Sequence, residues 1–200
     1  MIDLWRDRVT LIGKIVRLEP LSAFHVHELA IAGKDKRIWK YMLYGYPNNE
    51  ESMRTWVIDI LERRDAGDEN PFAVIHLPTG KVIGSTRYLE MRPAHKGLEI
   101  GGTWYSVDHQ HTNVNTECKL LLLRNAFEVL GCIRVQFKTD IRNIRSQKAI
   151  ERMGATKEGV LRNHMITPEG VIRNSVYYSI VDKEWAIVKA KLEEKLSGSG

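Results

Sequence analysis

The polar and apolar positions divide the chain into alternating and helical stretches. Residues 14–18 alternate and read as a first strand, which Pro20 stops. Ser22 is placed to cap a helix through Ala30. An aromatic-rich segment, residues 38–46, comes next. Asn49 then heads a second helix through Arg64, with Met53, Trp56, Val57, Ile60 and Leu61 at helical spacing. A strand meander follows: residues 72–77 and 81–91 joined by the turn Pro78-Thr79-Gly80, then residues 98–105 after a loop over 92–97. Gly101-Gly102 inside the last of these predicts a bulge or a close backbone approach. The most apolar helix starts from a cap at Asn115 or Thr116 and runs to Leu130, with Gly131 as its stop. Residues 133–139 read as a strand and 143–153 as a helix closed by Gly154. Strands at 160–166 and 171–181, joined by Thr167-Pro168-Glu169-Gly170, lead into a last amphipathic helix over 183–196.

The order is β-α-α-β-β-β-α-β-α-β-β-α. A helix between the strands at 98–105 and 133–139 implies that these two run parallel, while the remaining strands form hairpins. The expectation is an α/β protein with a mixed, mostly antiparallel central sheet and helices on both faces. No linker or internal repeat interrupts it, so residues 1–196 read as one domain. Ser197 to Gly200 read as a flexible tail or a cloning remnant.

Composition adds limits. Of 200 residues 43% are hydrophobic and 28% charged, which is ordinary for a globular chain that needs no disulfide or metal to build its core. Cys118 and Cys132 lie in or beside the apolar helix and read as buried, reduced thiols, which together with a charged N-terminus lacking an apolar core points to the cytoplasm. The longest apolar run, residues 120–123, is too short to span a membrane. The net charge is +5. Its densest basic stretch, Arg134 to Lys157, would serve a phosphorylated ligand as readily as RNA, and no aromatic motif supports RNA. His109 and His111 have no third ligand near them in sequence, so no metal is expected.

The chemistry concentrates where strand 98–105 feeds a loop and then a helix. Such a helix N-terminus offers free amides and a positive dipole end to a pyrophosphate. Downstream, residues 139–155 set polar side chains at the end of the adjacent parallel strand. Two strands splaying between these points would leave a slot for an extended ligand.

The segment from Asp140 through Asn143, Ser146, Ala149-Ile150 and Gly154-Ala155 resembles the GNAT acetyltransferase pattern D-x-x-N-x-x-S-x-x-A-I-x-x-x-G-A. Glu99-Ile100-Gly101 through Trp104, with residues 116–122, resembles the branch containing the Rim-type ribosomal-protein N-terminal acetyltransferases. The resemblance spans residues 12–185. It implies the GNAT fold and acetyl-CoA as co-substrate, held between the splayed strands. Trp104, Tyr105 and Ser106 would pair with pantetheine. The stretch Gln110, His111, Thr112, Asn113, Val114, Asn115 and Thr116 would meet the pyrophosphate. Asn143 would bind the pantetheine arm or order water, Ser146 would protonate the leaving thiolate, and Glu99 is the candidate base, with His164 second. Trp39, Tyr41 and Tyr44 would wall the acceptor pocket.

Two departures stand out. The family phosphate loop reads Q/R-x-x-G-x-G/A, whereas both small positions here are Asn, Asn113 and Asn115. Asn tolerates a left-handed backbone better than other non-glycine residues, so Asn113 is expected to keep the turn. The Tyr that many relatives carry seven residues after the motif Asn is Ile150 here. The expected function is acetyl transfer to an amine, either a protein N-terminus or a small amine such as a polyamine or amino sugar. A GNAT-fold binding or regulatory protein without catalysis is the alternative of a different class. A homodimer through edge or terminal strands is expected from the same resemblance.

Overall fold

Residues 5–198 are described by a computed structural model. The first four residues of the charged N-terminus, and Ser199 and Gly200 of the expected tail, lie outside the described residues. Eight strands form one sheet: β1 (Leu11–Ile12), β2 (Val16–Pro20), β3 (Asn70–His76), β4 (Lys81–Arg92), β5 (Gly97–Tyr105), β6 (Arg134–Asp140), β7 (Thr156–Ile166) and β8 (Ile172–Val181), in the order β1-β2-β3-β4-β5-β6-β8-β7. All neighbours pair antiparallel except β5 and β6, which run parallel, as the intervening helix requires.

That parallel pair is short. Only Gly97, Leu98 and Glu99 pair with Arg134, Val135 and Gln136, after which the strands part. The bulge expected at Gly101-Gly102 is present: Ser85 faces Trp104 and Arg87 faces Gly101, so β5 carries one residue more than β4 there. Gly102 takes φ +57, and a Cβ on it would run into Arg87 Nε. The backbone geometry and the neighbour both demand glycine.

Helices α1 (Val26–Ala32) and α2 (Glu50–Ala66) cover one face of the sheet, packing Val26, Leu29, Met53, Trp56, Val57 and Ile60 on Ala73, Ile75, Val82 and Trp104. Helices α3 (Asn113–Arg124), α4 (Ile144–Met153) and α5 (Asp182–Ser197) cover the other, against Phe72, Tyr88, Leu98, Val135, Phe137 and Tyr178. Asn49 caps α2 through its side chain, which accepts the Ser52 N–H, while Gly67 and Gly154 end α2 and α4 in left-handed backbone. Cys118 and Cys132 are buried free thiols. Among the described residues, no helix is long and apolar enough to cross a membrane.

Four boundaries correct the sequence expectations. The first strand becomes two, because Glu117 from α3 accepts the N–H groups of Lys14, Ile15 and Val16 and fixes a turn between them. Helix α3 begins at Asn113, capped by Thr112 instead of Asn115 or Thr116. It does not run on as α-helix to Leu130 but passes into a π turn over Asn125–Val129. The Tyr88 hydroxyl donates to the Leu122 carbonyl and accepts from Asn125 Nδ2, so a side chain inserts into the helical ladder there. Helix α5 extends to Ser197, which the pattern had assigned to the tail.

Candidate functional site

A cavity of about 660 Å³ lies where β5 and β6 part. It opens through the sheet and joins its two faces. Because residues alternate along a strand, the register divides the lining cleanly. Glu99, Gly101 and Leu89 face the α1/α2 side, together with Lys138 and Arg173. Thr103 faces the α3 side, where Thr116 and Lys119 of α3 and Ala149, Ile150 and Met153 of α4 complete the wall.

Two strand-to-helix turns frame the α3/α4 side. After β5, the loop over residues 106–112 ends in Thr112, whose hydroxyl accepts the Val114 N–H, and the first-turn amides of α3 point out of the helix at its positive end. The left-handed residue is His111, at φ +62, not Asn113. Asn113 is already helical, so the loop keeps its turn without either family glycine. After β6, Asn143 caps α4, its Oδ1 accepting the Ser146 N–H at 3.1 Å. Its Nδ2 and the Ser146 hydroxyl make no hydrogen bond among the described residues and line the cavity. Gln110 ties the two turns together: its Nε2 donates to the Tyr105 carbonyl at 3.0 Å and its Oε1 accepts from Arg145 Nη1 at 2.6 Å.

Charge on this side is almost all positive. Arg145 and Arg152 line the cavity without an ion-pair partner among the described residues, and Lys195 of α5 also lines it. Lys119 is buried beside them, donating to Thr103 Oγ1 at 2.7 Å, and burial pushes its ammonium down to about 8.

On the α1/α2 side the charges form a network. Glu99, 2% exposed, accepts from Gln136 Nε2 at 3.2 Å and lies 3.4 Å from Lys138 Nζ, which also reaches Glu90. Burial raises the Glu99 carboxyl above its usual range, and Glu90 adds to the shift, while Lys138 and Gln136 oppose it. Burial works against the Lys138 charge, but Glu99, Tyr177 and Glu90 outweigh it and hold the ammonium above its ordinary value. His164 bonds Ser175 Oγ and is held below the usual imidazole range by burial, Lys138 and Arg173; it is absent from the cavity wall.

Of the residues expected at the site, Glu99, Trp104, Tyr105, Gln110 to Asn113, Asn115, Thr116, Asn143, Ser146, Tyr41 and Tyr44 line this one cavity. Three do not. Trp39 is 3% exposed, packed on Trp56 and Trp104 with its Nε1 on the Gly33 carbonyl, so it supports the aromatic segment from within the core. Ser106 spends its N–H on Ile83 O at 2.7 Å and its hydroxyl on His109 at 2.7 Å. Val114 is a core residue, 2% exposed. Sequence reasoning missed Lys119 and Arg173, and had Lys138 and Arg145 only as members of the basic stretch 134–157. Two had a readable signal: Gln136, Lys138 and Asp140 place polar groups at every second position of a central strand, and Lys119 interrupts the most apolar helix.

The acetyltransferase (GNAT) domain model matches residues 16–156. The chain belongs to the GNAT acetyltransferase family. The Bacillus subtilis (strain 168) protein YdaF, provisionally named a ribosomal N-acetyltransferase, is 27% identical over 169 residues, 84% of this chain and 90% of that protein. A structure from T. thermophilus, provisionally named an acetyltransferase, is 36% identical with TM-score 0.86, covering 94% of this chain and 96% of the other. Mycobacterium smegmatis RimJ, solved with CoA-disulfide, shares the fold at TM-score 0.80 and 16% identity, covering 95% and 96%. These relatives agree with the Rim-type resemblance of residues 99–104 and 116–122. This GNAT family member therefore keeps a cavity between its parting strands without the loop glycines.

Proposed function

We propose that the protein transfers the acetyl group of acetyl-CoA to the amine of a peptide N-terminus in a ternary complex. The observation that carries this reading is the through-sheet cavity, with a cationic side and a side bearing one buried, proton-accepting carboxylate. The slot fits the co-substrate on its own terms: amides at the head of α3, the free Asn143 Nδ2, the unbonded Ser146 hydroxyl and the Arg145 and Arg152 cations offer donors to a polyanionic ligand. Acetyl-CoA supplies an activated thioester. That RimJ, which shares the fold, was solved with a CoA derivative supports CoA as the ligand class.

On the other side, Glu99 takes the proton from the incoming ammonium, so that the neutral amine can attack. Its raised proton affinity makes it a stronger base than an ordinary glutamate. Ser146, in the first turn of α4, donates a hydrogen bond to the leaving sulfur, which takes up the second proton that the attacking nitrogen loses. Tyr41 and Tyr44 close the acceptor end. The name of YdaF, together with the aromatic wall, favours a ribosomal or other protein N-terminus over a polyamine. The protein works in the cytoplasm as one domain. A homodimer forms through the edge strand β7 and its hairpin partner, whose Leu161, Ile166 and Ile172 are exposed.

A thiol-release assay against N-terminal peptides, a polyamine and an amino sugar tests the reading. Turnover of peptides at a kcat/KM at least tenfold above the small amines supports it. Turnover of small amines alone overturns the acceptor assignment. Binding of acetyl-CoA without turnover of any acceptor favours a regulatory protein.

A further inference from the structure

Arg173 on β8 is a buried cation with no ion-pair partner among the described residues. It is 5% exposed, faces the α1/α2 side and lines the cavity. Its Nε donates to Ser175 Oγ at 3.1 Å and its Nη1 to the Tyr41 carbonyl at 3.4 Å, and neither acceptor carries charge. Its Nη2 makes no hydrogen bond among the described residues. The carboxylates whose fields reach it are already engaged. Asp140 accepts from Arg142 through its backbone N–H, Nε and Nη2, and Glu99 is held by Lys138 and Gln136. A buried guanidinium is ordinarily paired, because desolvating an isolated charge is costly. Its planar fork matches a carboxylate, and one edge of that fork is open.

Resting on the reading of this cavity as an N-acetyltransferase site, we propose that the acceptor carries a carboxylate close to its reacting amine, and that Arg173 binds it. The acceptor is then an acidic peptide N-terminus or a free amino acid. Its ammonium meets Glu99 and its carboxylate meets Arg173, so one zwitterionic end satisfies two buried charges on the same face of the sheet. Burial disfavours the charge on Arg173, and an incoming carboxylate offsets that cost. Arg173 also holds the Tyr41 carbonyl, so occupation of its open edge is linked to the aromatic wall of the acceptor end.

The test uses matched acceptors with saturating acetyl-CoA: tetrapeptides with Asp against Asn and Glu against Gln at the first or second position, and a free amino acid against its amide. The wild type is expected to favour the carboxylate member of at least one pair tenfold or more in kcat/KM. Arg173→Gln is expected to bring that ratio within twofold by raising KM for the carboxylate member alone, and Arg173→Lys to keep part of it. A displaced Tyr41 would slow both members of a pair equally, so the ratio separates recognition from support. Thermal shifts of the CoA-bound protein by the same peptides give a readout independent of turnover. The proposal is overturned by equal use of both members in every pair, by a preference that survives Arg173→Gln, or by neither turnover nor a shift from any carboxylate acceptor. Equal turnover leaves the N-acetyltransferase reading standing, whereas failure to bind acetyl-CoA removes that reading itself.

Discussion

The two faces of the sheet meet in one cavity but handle charge in opposite ways. On the α3/α4 side, Lys119, Arg145 and Arg152 have no carboxylate partner among the described residues. On the α1/α2 side, Glu99, Lys138, Glu90 and Gln136 are joined to one another, and Arg173 alone of the lining cations there has no carboxylate partner among the described residues. A surplus of cations around a helix N-terminus is an anion site, built to bind. A buried carboxylate of raised proton affinity, steadied by a neighbouring ammonium, is built to exchange a proton. Division of labour between the faces follows from strand alternation: β5 sends Glu99 to one side and Thr103 to the other, and the Gly102 bulge sets their phase.

Substitutions on the two faces should therefore separate chemistry from co-substrate binding. The largest effect is expected at Glu99. Glu99→Gln should lower kcat by about 10²- to 10⁴-fold, with acetyl-CoA affinity by titration unchanged within about twofold. In the wild type, kcat/KM should rise with pH across the raised Glu99 titration, because only the carboxylate accepts a proton; Glu99→Gln should lose that limb. Retention of the limb would move the base elsewhere. Ser146→Ala should lower kcat by about 10- to 100-fold with little change in acetyl-CoA affinity. Unchanged turnover would assign the hydrogen bond to the leaving sulfur to solvent.

At the other residues of the cationic face the expected effects are on binding and stability. The folded Lys119 ammonium titrates at about 8, below its unfolded value, so the unfolded chain holds the proton more tightly. That group costs stability below pH 8, and the cost is relieved as pH rises from there to the ordinary lysine range. Denaturant melts should show a gain in unfolding free energy of up to about 3 kcal/mol across that window, absent in Lys119→Met. A flat profile would mean that Lys119 is solvated. Gln110→Ala breaks the tie between the two turns and should weaken acetyl-CoA binding by about fivefold, roughly the worth of one hydrogen bond.

What the sequence revealed of the two faces differs for a physical reason. The second arm was legible because its determinants are local: Asn143, Ser146 and Gly154 act within one helix and its caps. The first arm was harder. The left-handed residue proved to be His111, displaced from the family's glycine position by where Thr112 caps α3. Trp39 looked like a pocket wall because aromatic content alone does not distinguish a lid from the core beneath it. The Glu99–Lys138 pair and Arg173 could not be read, since the parting of β5 from β6 and the pairing of β6 with β8 bring them together from three separate strands. A long-range register leaves no local mark.

The proposed acyl-CoA slot lies in the gap between β5 and β6 despite Asn113 and Asn115. Isothermal titration of acetyl-CoA into the wild-type protein tests it most directly. One site per chain, weakened by Gln110→Ala and left intact by Glu99→Gln, is the predicted result. No heat and no thermal shift at millimolar acetyl-CoA would contradict it.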